Sequence, residues 1–158
     1  MILKVVEDNN YMRLMSSQIF EVIEYLIDKD QEFTITANIK GVGFNPNIPE
    51  PISKNFPPFT VFALANYTYE SLELNEDEIT FEAGFGSENF GSVVTIPLYA
   101  IFQIIVDESI LFLNPTATVE KYFIKKDIKK RKIDKNLDQE TRSMNAFKLN
   151  KENEDLLN

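Results

Sequence analysis

Cysteine, histidine and tryptophan are all absent from this 158-residue chain. Without cysteine there is no disulfide, no thiolate nucleophile and no thiolate metal site, and nothing points to an oxidising compartment. Without histidine the commonest general base at neutral pH and the commonest neutral metal ligand are missing as well. Long apolar runs are also lacking. The longest, Ile96 to Val106, is broken by Gln103 and falls well short of the ~18 residues of a membrane span. The opening MILKVVEDNN meets Glu7 and Asp8 at once, so no export leader is expected. These absences lead us to expect a soluble cytoplasmic protein that is not an enzyme and carries no metal and no cofactor.

What is present suffices for a core. Hydrophobic residues make up 44% of the chain and include 13 Phe, enough apolar surface to offset the ordering entropy of one ordinary domain. Charge divides the chain unevenly. Up to Thr116 there are 5 basic and 17 acidic residues, a net charge of −12, whereas from Ala117 onward 11 basic and 8 acidic residues leave +3. The pattern predicts a domain over 1–116 and a charged, flexible tail over 117–158.

From Tyr11 to Asp28 apolar residues recur with helical spacing, Leu14, Met15, Phe20, Ile23 and Leu26 among them, so an amphipathic helix is expected. Its apolar face is wide, which fits either simple core packing or a contact between two copies. The period then changes to two: Phe33, Ile35, Ala37 and Ile39 alternate with Thr34, Thr36 and Asn38, a half-buried strand ending at Gly41. Five prolines between Gly41 and Pro58 exclude a central strand and predict a long, stiff loop. Extended segments are expected at Thr60 to Ala65, Glu78 to Gly84 and Ser92 to Ile96, with a last one at Ile110 to Leu113. Between the last two, Pro97 precedes Leu98, Ile101, Phe102 and Ile105, spaced for a short helix. Several short strands suggest a small barrel.

Motifs that would carry chemistry are weak. Glu76, Asp77 and Glu78 lie in a turn-like segment where carboxylates are usually solvated, and no segment has the alternating acidic order of a calcium loop. AGFGSENFG lacks the lysine of a phosphate-binding loop and the spacing of a dinucleotide fingerprint. Its glycines fit a bulge, a turn or a strand edge approached by a peptide. The basic run from Lys125 to Lys132 could contact nucleic acid, but the acidic body would repel a polyanion. Phe147, Leu149, Leu156 and Leu157 stand out in the polar tail as short apolar elements of the kind that dock on a partner.

Leu72 to Gly86 (LELNEDEITFEAGFG), followed by Val93 to Ile104 (VVTIPLYAIFQI), resembles the central pattern of the stringent starvation protein B family. EYLID at 24–28 and KGVGF at 40–44 resemble the end of that family's first helix and its Gly-Val turn. The match covers roughly residues 11 to 116. The resemblance implies a mainly β fold with α: a small Sm-like or SH3-like barrel with an N-terminal helix, a short second helix and a flexible tail. It implies an adaptor that binds ssrA-type degradation tags and tethers the tagged polypeptides to the ClpX unfoldase of the ClpXP protease. By position, the peptide groove would comprise Val42, Gly43, Phe44, Ala63, Ala65, Phe81, Ala83, Phe85 and Gly86. Leu14, Met15, Phe20 and Ile23 would form a homodimer contact, and Phe147, Leu149, Leu156 and Leu157 would dock on ClpX. Gly84 stands where family members often carry arginine, and the proline-rich loop is longer than usual. With a body of −12, a neutral or lysine-containing tag is expected to suit the groove better than an acidic one. The rival readings are an Sm-like barrel that binds RNA and an adaptor for a different degradation signal.

Overall fold

A computed structural model describes residues 4–124. The chain divides into two compact units, Met1–Val119 and Glu120–Asn158, and the fold described here is that of the first. The tail positions Phe147, Leu149, Leu156 and Leu157 lie outside the described residues.

Helix α1 (Asn9–Asp28) begins where Asp8 caps it, the side chain accepting the Tyr11 N–H at 3.3 Å. Ile19, Ile23 and Leu26 form its buried stripe. At the other end Asp30 takes a left-handed φ of 54°, and the Asp30 and Gln31 N–H groups donate to the carbonyls of Ile27 and Leu26. This is a Schellman closure made without glycine, on a residue whose short polar side chain tolerates that conformation.

Eight strands follow, β1 (Phe33–Asn38), β2 (Gly43–Asn45), β3 (Phe59–Leu64), β4 (Glu73–Leu74), β5 (Glu78–Phe85), β6 (Phe90–Pro97), β7 (Ile101–Val106) and β8 (Ser109–Leu113), with short helices α2 (Glu50–Ser53) and α3 (Asn66–Glu70) between them. They form two antiparallel four-stranded sheets, ordered β3-β1-β7-β8 and β2-β6-β5-β4. The fold is thus β-rich with an N-terminal helix, as expected, but neither sheet closes on itself into a barrel. Inner faces of both sheets and the α1 stripe share one core, with Ile35, Leu64, Ile79, Ile96, Leu98 and Ile104 fully buried. Phe62 and Phe81 join the sheets edge to face at 5.8 Å. No helix among the described residues is long and apolar enough to cross a membrane.

Two expectations need correction. The stretch from Pro97 to Ile105 is not a second helix: β6 ends at Pro97, Leu98–Ala100 makes one 3₁₀ turn, and β7 follows. Pairing of β7 is irregular on both sides, with a register shift against β1 at Thr36/Ala37 and another against β8 at Ile104/Ile105. These irregularities leave Ile101 and Ile104 both buried three residues apart, a spacing that imitates a helix. A β-branched run flanked by strands on both sides settles the outcome.

The proline-rich loop is also more structured than expected. It contributes β2, paired to β6 through Gly43↔Thr95, Phe44↔Val94 and Asn45↔Val93, and then α2. Its prolines fall outside the paired residues, so none removes a ladder hydrogen bond.

Candidate functional site

The site builds outward from the β5–β6 hairpin. Its two strands pair without a slip from Glu78↔Pro97 to Phe85↔Phe90, and the four-residue connection turns on Gly86 (φ 77°) and Asn89 (φ 54°), with the Asn89 N–H donating to the Gly86 carbonyl at 3.0 Å. The two-residue period puts Ile79, Phe81, Ala83 and Phe85 on one face and Thr80, Glu82 and Gly84 on the other.

Loop 41–58 folds back onto this hairpin. Phe44, Phe56 and Phe85 form a mutual cluster with ring centroids 5.7 to 5.8 Å apart. Ile52 on α2 packs against Gly86 so closely that a Cβ there would lie 2.7 Å from Ile52 Cδ1. Phe44, Phe85 and Gly86 are therefore neighbours in space. Phe56 and Ile52 were not singled out in the sequence, where they read only as loop residues among prolines.

Beside the cluster lies a trough of about 510 Å³ between the end of β2, α3 and the hairpin, bordered by Pro46, Tyr67, Glu82, Ala83, Asn89 and Val93. Tyr67 donates to Glu82 Oε1 at 2.7 Å across it. That bond and the Glu82 charge raise the phenol above its ordinary range. The Glu82 N–H in turn donates to Ser71 Oγ at 2.9 Å, because β4 pairs with β5 only through Glu73↔Thr80 and Leu74↔Ile79. Beyond Thr80 the outer edge of β5 thus has no strand neighbour among the described residues.

Other expected residues lie apart from this cluster. Val42 and Gly43 are half-buried at the start of β2, Ala63 is exposed on β3, which pairs only with β1, and Ala65 is half-buried just before α3. Phe81 does not belong to an accessible groove: it is 1% exposed, held in the core against Phe62. Of the expected dimer residues, Leu14 is 53% exposed and Met15 and Phe20 are half-buried, but Ile23 is fully buried within its own chain and unavailable to a partner. No family model matches the chain, and neither does any curated protein.

Proposed function

We propose that this chain is a cytoplasmic adaptor of the stringent starvation protein B type, which binds ssrA-type tags and tethers tagged polypeptides to ClpX. The observation that carries this reading is the outer edge of β5 past Thr80, which has no strand neighbour among the described residues, together with the trough beside it, where Gly91 leaves space. An extended peptide gains affinity from a strand edge through backbone hydrogen bonds, and small residues provide room for its alternate side chains. In this reading the two-sheet arrangement is an open relative of the Sm-like barrel. Two copies meet through Leu14 and Met15 on the flank of α1, and the tail supplies the contact with the unfoldase. Tethering then raises the local concentration of substrate at the unfoldase, so two weak contacts act together. No reaction on the substrate is part of this function.

The test is fluorescence anisotropy of a labelled ssrA-type peptide titrated with the full chain, alongside a Gly91→Gln variant whose side chain enters the open space of the trough. Saturable binding that is lost in a variant of unchanged thermal stability is expected. Failure to bind any of several tag variants would overturn the reading.

A further inference from the structure

A second groove, of about 980 Å³, runs between α1 and the β4–β5 turn, remote in sequence from the hairpin tip. Its apolar surface comes from Met12, Phe20, Pro97 and Tyr99. Along one bank, α1 contributes Glu21, Glu24 and Asp28; along the other, the turn contributes Glu76, Asp77 and Glu78. Among the described residues Arg13 is the only basic one in the lining, and its guanidinium donates to Asn10 Oδ1 at 3.0 Å.

The acidic turn is held in place. Asn75 Oδ1 accepts the N–H groups of Asp77 and Glu78 at 2.8 and 3.0 Å, and the Leu98 N–H donates to the Asp77 carbonyl at 3.0 Å. On the opposite bank the charges oppose helix stability. Glu21, Glu24 and Asp28 follow one another at i, i+3 and i+4 spacing, where like charges repel, in the half of the helix whose dipole disfavours anions. Among the described residues no ion pair relieves these six carboxylates. A cationic occupant would relieve the repulsion on both banks at once.

We infer that this groove docks a lysine- or arginine-rich amphipathic peptide segment of a partner protein, its apolar side chains on Phe20 and Tyr99 and its cations between the two acidic banks. The charge selects this occupant: a polyanion is repelled, and a second copy of the same face would oppose acid to acid. The site is separate from the tag trough and does not depend on the adaptor reading.

The probe is a fluorescein-labelled lysine–leucine peptide, titrated by anisotropy into the full chain beside a glutamate–leucine peptide of equal length. Only the lysine peptide should bind, more weakly as ionic strength rises. A Glu24→Gln/Asp28→Asn/Asp77→Asn variant changes exposed charges alone, and affinity should fall about ten-fold in it, the sum expected of three exposed contacts. Binding of the lysine peptide should persist in Gly91→Gln, which separates this site from the tag trough. Absence of binding, equal binding by the triple variant, or displacement of the lysine peptide by an ssrA-type peptide would each overturn the inference.

Discussion

The side chain of Asn89 occupies the space above Gly84: a Cβ placed on Gly84 would collide with Asn89 Oδ1 and Cγ. The left-handed Asn89 that closes the hairpin therefore also keeps position 84 bare, and with it the side of the trough nearest Glu82.

Gly84→Arg forces the Asn89 carboxamide to swing out and brings a guanidinium beside Glu82, the only charged residue lining the trough among the described residues. The native chain should prefer lysine-containing over glutamate-containing tag peptides, and the variant should narrow or reverse that preference. Anisotropy with the two peptides measures the ratio. A native preference for the glutamate peptide would sink the charge argument, as would a ratio that the variant leaves unchanged.

Phe56→Ala removes the stack on Phe44 within loop 41–58 and one of the two ring contacts that hold this loop to the hairpin. Phe56 is only half-buried, so the loss should stay near 2 kcal/mol, below the usual cost for a fully buried Phe. Urea unfolding gives that number. Tag affinity should fall further than stability predicts, because Phe44 loses its stacked partner; a variant that binds normally would separate the cluster from the site.

Asn114 is fully buried. Its amide donates to the Tyr99 and Ile101 carbonyls at 3.1 and 2.9 Å, and its oxygen accepts the Thr116 N–H at 3.0 Å. One side chain thereby satisfies the backbone around the 98–100 turn. Asn114→Ala leaves these groups unpaired and should cost about 3 kcal/mol, read as a lower urea midpoint with an unchanged slope. A change below a few tenths would mean that water replaces the amide.

Tyr67 and Tyr99 should both ionise above the ordinary phenol value of 10.0, Tyr67 chiefly through its bond to Glu82 and Tyr99 through burial. A raised phenol pKa means that the folded state favours the neutral form. That contribution is complete below pH 10.0 and is lost as pH climbs through the raised values. Phenolate absorbance against pH should show late-titrating tyrosines, and Glu82→Gln should bring Tyr67 alone back towards the free value. If the titration curve of Glu82→Gln overlays that of the native chain, the hydrogen bond does not hold the proton.

Much of the architecture was legible because one-sided burial writes a period into the residues. Spacing near 3.6 located α1, which extends two residues before Tyr11 because Asp8 caps it, and alternation from Phe33 and from Glu78 marked strands whose inner faces meet the core, although the first ends at Asn38 and not at Gly41, Ile39–Gly41 forming a 3₁₀ turn. Phe44, Phe85 and Gly86 were also picked out ahead of the structure, through the resemblance, and they do converge. Burial decided otherwise for Phe81 and Ile23, which share the apolar character of their neighbours; which apolar residue faces inward depends on what packs over it.

Local composition by itself determined that the chain is acidic, lacks thiol and imidazole chemistry, begins with an amphipathic helix and continues in short strands. Each of these follows from residue types or from neighbours a few positions apart. The tertiary structure alone decided the strand identity of Ile101–Val106, the return of Phe56 and Ile52 onto the hairpin, and the facing of two acidic banks more than 45 residues apart in sequence. Those outcomes rest on register, on irregular pairing and on contacts between distant segments, and none of these leaves a periodic trace in the sequence.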